Sequence, residues 1–252
     1  MAPQFLDINQ NLSALETGLA LENITTKNAD FSVTIENCGA DTNAIMASIR
    51  QMKTYALKAQ ADAVHGIRSI YGFESMFKDD SASESVEAIY NALYHFEAIP
   101  GLKPDPTTTK APRFACAREE SAQTYKNLDL GYDPWQRCLA GSPRRNPVPA
   151  FYAEGTAYIF LCPGFAVQEA QPDRPHCPAV HDNRFAGDPY AFYKKYQTYT
   201  LLYHLTRFYL GDNALDDQSD PREQLDWNNV VLLNIIDSIR NPTNLQIYAA
   251  CE

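Results

Sequence analysis

Tyr203, His204 and Arg207 lie close together in an aromatic, apolar stretch, Tyr199-Thr200-Leu201-Leu202-Tyr203-His204-Leu205-Thr206-Arg207-Phe208. A phenol, an imidazole and a guanidinium at this spacing offer an acid, a base and an anion-stabilising group. On a helix Tyr203 and Arg207 fall four apart on one face, so the same pair also suits a polar plug inside a packed structure. His176 and His181 flank Cys177 and Pro178. Proline prevents a regular helix there, and a solvated loop is the stronger reading than a metal-binding loop. The acidic run from Asp212 to Glu223 reads as a solvated loop, because it lacks the spaced oxygen ligands of a calcium site. The tyrosines and phenylalanines between Tyr190 and Tyr209 are expected to pack a core.

The elements that must position these groups follow from hydrophobic spacing. Phe31 to Ile35 alternates apolar and polar residues and ends in Glu36, which predicts a half-buried strand. Ile45, Ile49, Met52, Ala56, Ala59 and Ala63 recur at steps of three and four after Asp41, a candidate N-cap, so a long amphipathic helix is expected to end near Gly66 or Gly72. Ser81-Ala82-Ser83-Glu84 has capping-box form ahead of Val86, Ile89, Leu93 and Phe96, a second helical stripe. Residues 97 to 113 are rich in proline and threonine and read as a connection. Ala157 to Cys162 is a short apolar run bounded by Gly155 and Pro163, expected as a buried strand. Two helices close the prediction, Tyr190 to Leu210 and Asn228 to Arg240. A short helix around Leu12 to Leu21 is expected within an otherwise irregular N-terminal extension, residues 1–29, ahead of one domain at 30–252.

Composition narrows the function classes. The 252 residues are 45% hydrophobic, enough to bury a sizeable core. Thirty-one acidic residues against 21 basic ones give a net charge of −10, which argues against nucleic-acid partners held by phosphate neutralisation. The apolar stretches are too short to span a bilayer. Six cysteines, at 38, 116, 138, 162, 177 and 251, occur without a CxxC pair and favour disulfides over a zinc ribbon. Short loops suggest Cys116 with Cys138 and Cys162 with Cys177, leaving Cys38 for Cys251, which is one of 15 connectivities. The sequons Asn11-Leu12-Ser13 and Asn23-Ile24-Thr25 fit the same extracellular setting, as a glycoprotein. A mature secreted chain with an added Met1 is therefore expected.

The stretch from Thr200 to Arg207 resembles the Thr-Leu-Leu-His-Glu-Leu-Thr-His active-site helix of the fungal deuterolysin-like metallo-endopeptidases, the aspzincins. In that family two histidines bind zinc and the intervening glutamate activates a metal-bound water. The resemblance puts Tyr203 at the first ligand position, His204 at the glutamate and Arg207 at the second ligand. Sliding by one residue leaves Leu205 and Phe208 where chemistry is required. Ile159-Phe160-Leu161-Cys162-Pro163 is similar to the family's apolar strand ending in Leu-Cys-Pro. Asn241 to Ala249 looks like its C-terminal Asn-Ala-Asp-x-Tyr-x-x-Tyr-Ala segment, with Thr243 at the acidic position and Tyr248 at the second tyrosine. Asp216 stands as a relic of a further acidic residue. The family's Gly-Thr-x-x-Asp-x-x-Tyr-Gly signature is not recognisable, and the proline-rich stretch from Pro163 to Pro189 has no clear counterpart.

What the resemblance implies is an α+β, zincin-like metallopeptidase fold, mainly helical with a small sheet and stapled by disulfides. A permanently charged guanidinium at the metal position repels a dication, so zinc is expected to be lost and no cofactor is expected in its place. The leading expectation is a secreted, catalytically degenerate peptidase-like protein whose former cleft binds a peptide, a carbohydrate or a small molecule. His204, Tyr203 and Arg207 are its candidate cleft residues, with Thr243, Tyr248 and Asp216 as candidate ligand contacts. Two alternatives stay open: an enzyme of another reaction class working through Tyr203, His204 and Arg207, and a residual zinc endopeptidase using His204, Asp216 and a loop histidine.

Overall fold

The small-residue stripe of the first long helix sets the centre of the molecule. Ile45, Ile49, Met52, Ala56, Ala59 and Ala63 are all buried along one face of α1 (Thr42–His65), where the alanines let neighbouring backbones approach closely. The computed structural model describes residues 24–28, 31–65, 73–99, 111–140, 148–171, 195–216, 219, 221–225 and 227–251. The remaining helices are α2 (Phe73–Phe77), α3 (Ser83–His95), α4 (Ser121–Thr124), α5 (Pro134–Ala140) and α6 (Pro163–Ala166). They are followed by α7 (Gln197–Leu210), α8 (Trp227–Val230), α9 (Ile235–Arg240) and α10 (Pro242–Cys251). Together with a small sheet they form the α+β, mainly helical, disulfide-stapled architecture expected of the sequence.

The sheet has the order β1 (Ile24–Asn28), β2 (Phe31–Glu36), β3 (Arg113–Cys116), β5 (Tyr158–Leu161) and β4 (Ala150–Tyr152). The two outer pairings are antiparallel, and β2, β3 and β5 run parallel. Strand periodicity divides its side chains between two cores. Val33, Ile35, Phe114, Ile159 and Leu161 face the large core with α1, α3, α7 and α10. Ala115, Phe151, Tyr158 and Phe160 face a smaller core that includes Tyr125 and Cys138. At about 25 cal/mol per Å² of buried apolar area, the first core supplies most of the driving force for folding.

Every residue of α10 from Pro242 to Ala250 is buried, as is Asn241 before it, although Asn241, Thr243, Asn244 and Gln246 are polar. Burial of amides is tolerable only with partners. Asn244 Nδ2 donates to the carbonyls of Met76 at 3.0 Å and Val230 at 3.2 Å, and Gln246 Nε2 donates to that of Tyr199 at 2.9 Å. These bonds tie α10 to α2, to α8 and to α7.

Several local expectations are corrected. Among the described residues the disulfides are Cys38–Cys116 and Cys138–Cys162, in place of Cys116–Cys138, Cys162–Cys177 and Cys38–Cys251. Short loops in sequence did not select the partners, because the parallel pairing of β2 with β3 brings positions 78 apart together. Cys177 lies outside the described residues, as do His176, His181 and the expected Leu12–Leu21 helix. The sheet reaches back to Ile24, into the segment read as irregular. Ser81 does not cap α3; instead the Asp79 carboxylate accepts from Ser81 N at the start of a 3-10 turn. The expected Asn228–Arg240 helix is two short helices, and Asn234 caps the second through Asp237 N. Pro242–Cys251, which takes in all but the first residue of the Asn241–Ala249 segment, folds as a helix that hydrophobic periodicity did not announce, since a helix buried all round presents no exposed polar face.

Candidate functional site

α7 is buried on nearly every side, and Arg207 is its only residue that is not buried. The helix lies against β4, where Tyr152 meets Phe208 edge-on at 5.5 Å between ring centres. Thr206 satisfies its hydroxyl on the Leu202 carbonyl at 2.8 Å, as a buried helical threonine must. The helix stops at Gly211, whose φ of +52° suits glycine better than a residue with a Cβ.

One helical turn brings Tyr203 and Arg207 to the same side chain, Glu223. Tyr203 Oη donates to Glu223 Oε1, and Arg207 Nη1 donates to Glu223 Oε2 at 3.4 Å. Arg207 Nη2 also lies 3.8 Å from Glu154 Oε1, in the turn that joins β4 to β5. The guanidinium of α7 thus faces both the hairpin turn and the acidic loop. The side chain of Glu223 is 5% exposed and that of Arg207 21%, whereas that of Glu154 is 77% exposed. Only the Glu223 contact carries substantial weight, because the exposed pair is screened by water. Burial alone lowers the pKa of Arg207; the oxygens of Tyr203, Glu223 and Glu154 outweigh it and raise the value, so the charge is permanent.

The acidic run from Asp212 to Glu223 is therefore not simply a solvated loop. Its last residue turns inward, with Glu223 N bonded to the Asp216 carbonyl at 2.9 Å. Sequence reasoning missed Glu223 because a carboxylate among carboxylates looks like a surface residue. The available signal was the need of a buried arginine on α7 for a counter-charge.

The other candidates are placed differently. His204 is buried, and its ring meets that of Tyr203 edge-on at 5.0 Å. Asp216 is engaged with Ser219, accepting from Ser219 N at 2.8 Å and Oγ at 2.9 Å. Thr243 is fully buried in the first turn of α10. Tyr248 donates to Asp62 on α1 and packs among Phe73, Phe77 and Tyr90, a cluster of its own. Among the described residues no three His, Cys, Asp or Glu side chains converge as a metal-ligand set. The residues around Arg207 do not fit a dication, since the nearby carboxylates already face a guanidinium.

No family model matches the sequence, and no curated protein matches it. Among solved structures, a zinc peptidase from Grifola frondosa is similar, with a TM-score of 0.47 and 12% identity over 84% of this chain and 96% of that one.

Proposed function

We propose that this chain is a peptidase-like protein without zinc-dependent hydrolysis, whose region around Tyr203, His204 and Arg207 binds a peptide, a carbohydrate or a small molecule. The observation that carries the reading is the Arg207–Glu223 contact. In the helix that resembles the aspzincin active-site helix, a positive charge occupies the second ligand position, and its carboxylate partner is buried with it. Tyr203, at the first ligand position, gives its hydroxyl proton to the same carboxylate. The arrangement resembles a salt-bridged plug that preserves the scaffold while replacing metal chemistry. The two disulfides are compatible with an oxidising, extracellular setting.

The test is metal analysis of protein purified without chelator, together with casein digestion in the presence and absence of phenanthroline. Substoichiometric zinc and no chelator-sensitive digestion are expected. One zinc per chain, with digestion abolished by phenanthroline and restored by added Zn²⁺, overturns the reading.

A further inference from the structure

A second cluster of the same residue types lies on the opposite face of the sheet. The pairing of Thr34 with Arg113, and of Arg113 with Tyr158, puts Arg113 and Tyr158 on one face, and Glu36 joins them two residues beyond Thr34. Arg113 donates to Glu36 Oε1 through Nε at 2.7 Å and through Nη2 as well. Among the described residues the other oxygen, Oε2, is served only by the hydroxyls of Tyr125 and Tyr158, each at 3.4 Å. Hydroxyl-to-oxygen bonds usually run near 2.7–2.8 Å, so a buried carboxylate oxygen here keeps capacity for a shorter, stronger bond.

These groups border a cleft of about 330 Å³. The side chain of Glu36 is 6% exposed at its floor, and that of Arg113, at 39%, reaches the opening. Asn37 Nδ2 donates to Tyr125 Oη at 2.8 Å, which leaves the phenol proton directed to Glu36. Asn127 adds an exposed amide to the wall. The framework is fixed on both sides. Asn37 adopts a φ of +59°, a conformation asparagine tolerates better than most residues, and the adjacent Cys38 is bonded to Cys116 at the end of β3.

The charges in the lining are one carboxylate and one guanidinium, already paired, so the cleft offers no net attraction to an ion. It offers instead a dense set of neutral or neutralised donors and acceptors in a space the size of one sugar ring. We propose that this cleft binds a neutral polyhydroxylated ligand, one monosaccharide unit, whose hydroxyl donates to Glu36 Oε2 while its other oxygens accept from Arg113 and Asn127. This site is separate from the one around Arg207 and does not depend on the reading given above.

The probes are glucose, galactose, mannose and N-acetylglucosamine, with their disaccharides, titrated into the full-length, disulfide-intact chain by ligand-observed NMR and calorimetry. At least one is expected to saturate in the millimolar range. Asn127→Ala, an exposed change that leaves the melting curve in place, is expected to weaken that probe by about five-fold, and Glu36→Gln, which removes the charged acceptor, by about ten-fold. No saturation by any probe up to about 20 mM overturns the proposal. So does equal affinity in Asn127→Ala and the parent, which remains decisive even if Glu36→Gln does not fold. Displacement of the sugar by inorganic phosphate also overturns it, because it would assign the site to an anion held by Arg113.

Discussion

The molecule contains two arginine–glutamate–tyrosine clusters, one on each side of its sheet, and their surroundings differ. Around Arg207, a helix supplies the guanidinium and the phenol, and a loop folds its carboxylate onto them. Around Arg113, three adjacent strands supply the guanidinium, the carboxylate and one phenol, and Tyr125 completes the set from beside α4. The first guanidinium is the more enclosed, and its carboxylate is engaged at both oxygens. The second borders a cleft and leaves one carboxylate oxygen with long contacts. The same residue types are thus enclosed at one site and border an opening at the other.

The largest effect should separate the clusters through covalent support. Cys38–Cys116 ties β2 to β3 two residues beyond Glu36. By the chain-entropy estimate, removing a bridge over this separation costs about 4.5 kcal/mol, against about 3.5 for the shorter Cys138–Cys162 loop. Urea unfolding of Cys38→Ala/Cys116→Ala beside Cys138→Ala/Cys162→Ala checks the order; an equal loss would show that strain or residual structure, not loop length, governs it.

The next effect tests the enclosed pair. Glu223→Ala leaves Arg207 with only an exposed counter-charge and should cost about 3 kcal/mol by urea titration. Replacing both partners by apolar residues, Arg207→Met with Glu223→Leu, should recover most of that loss, since neither buried charge then remains. A double variant as unstable as Glu223→Ala would mean that Arg207 is held by more than this pair.

Glu36→Gln should have a smaller effect, about 1–2 kcal/mol, because the Arg113 left behind is partly solvated and can turn to water. A loss as large as that of Glu223→Ala would remove the distinction between the clusters.

The smallest effect at neutral pH appears only in alkali. Burial, reinforced by Glu36, raises the pKa of Tyr125; the same causes raise that of Tyr158, partly opposed by Arg113. A raised folded-state value means that the neutral phenol is favoured by folding. The contribution is therefore fully present below the unfolded value of about 10 and is lost as the pH rises above it. Denaturant midpoints between about pH 8 and pH 11 should fall less steeply in Tyr125→Phe than in the parent. Tyr209, whose pKa is raised first by burial and then by Glu97, adds a slope common to both proteins.

Much of the scaffold is legible in the amino-acid order. α1, the body of α3, β2, β5 and the buried character of α7 follow from periodicity, because one buried face repeats every 3.6 residues in a helix and every two in a strand. Tyr203 and Arg207 were paired on one face by the same arithmetic. Glu223 was not legible as their partner, since its neighbours in sequence are a solvent-compatible acidic run. Glu36 was readable only as the polar end of an alternating strand; nothing local indicated that a second, small core would cover that face.

The amino-acid order by itself determined which segments coil or extend, which side chains turn inward, and that α7 carries a guanidinium four residues after a phenol. Tertiary structure alone decided the disulfide partners, the counter-charge of Arg207 and the gathering of Glu36, Arg113, Tyr125 and Tyr158. The physical reason is range: periodicity is a property of consecutive residues, whereas cysteine pairing and charge pairing depend on which distant segments the sheet and its two cores bring within bonding distance.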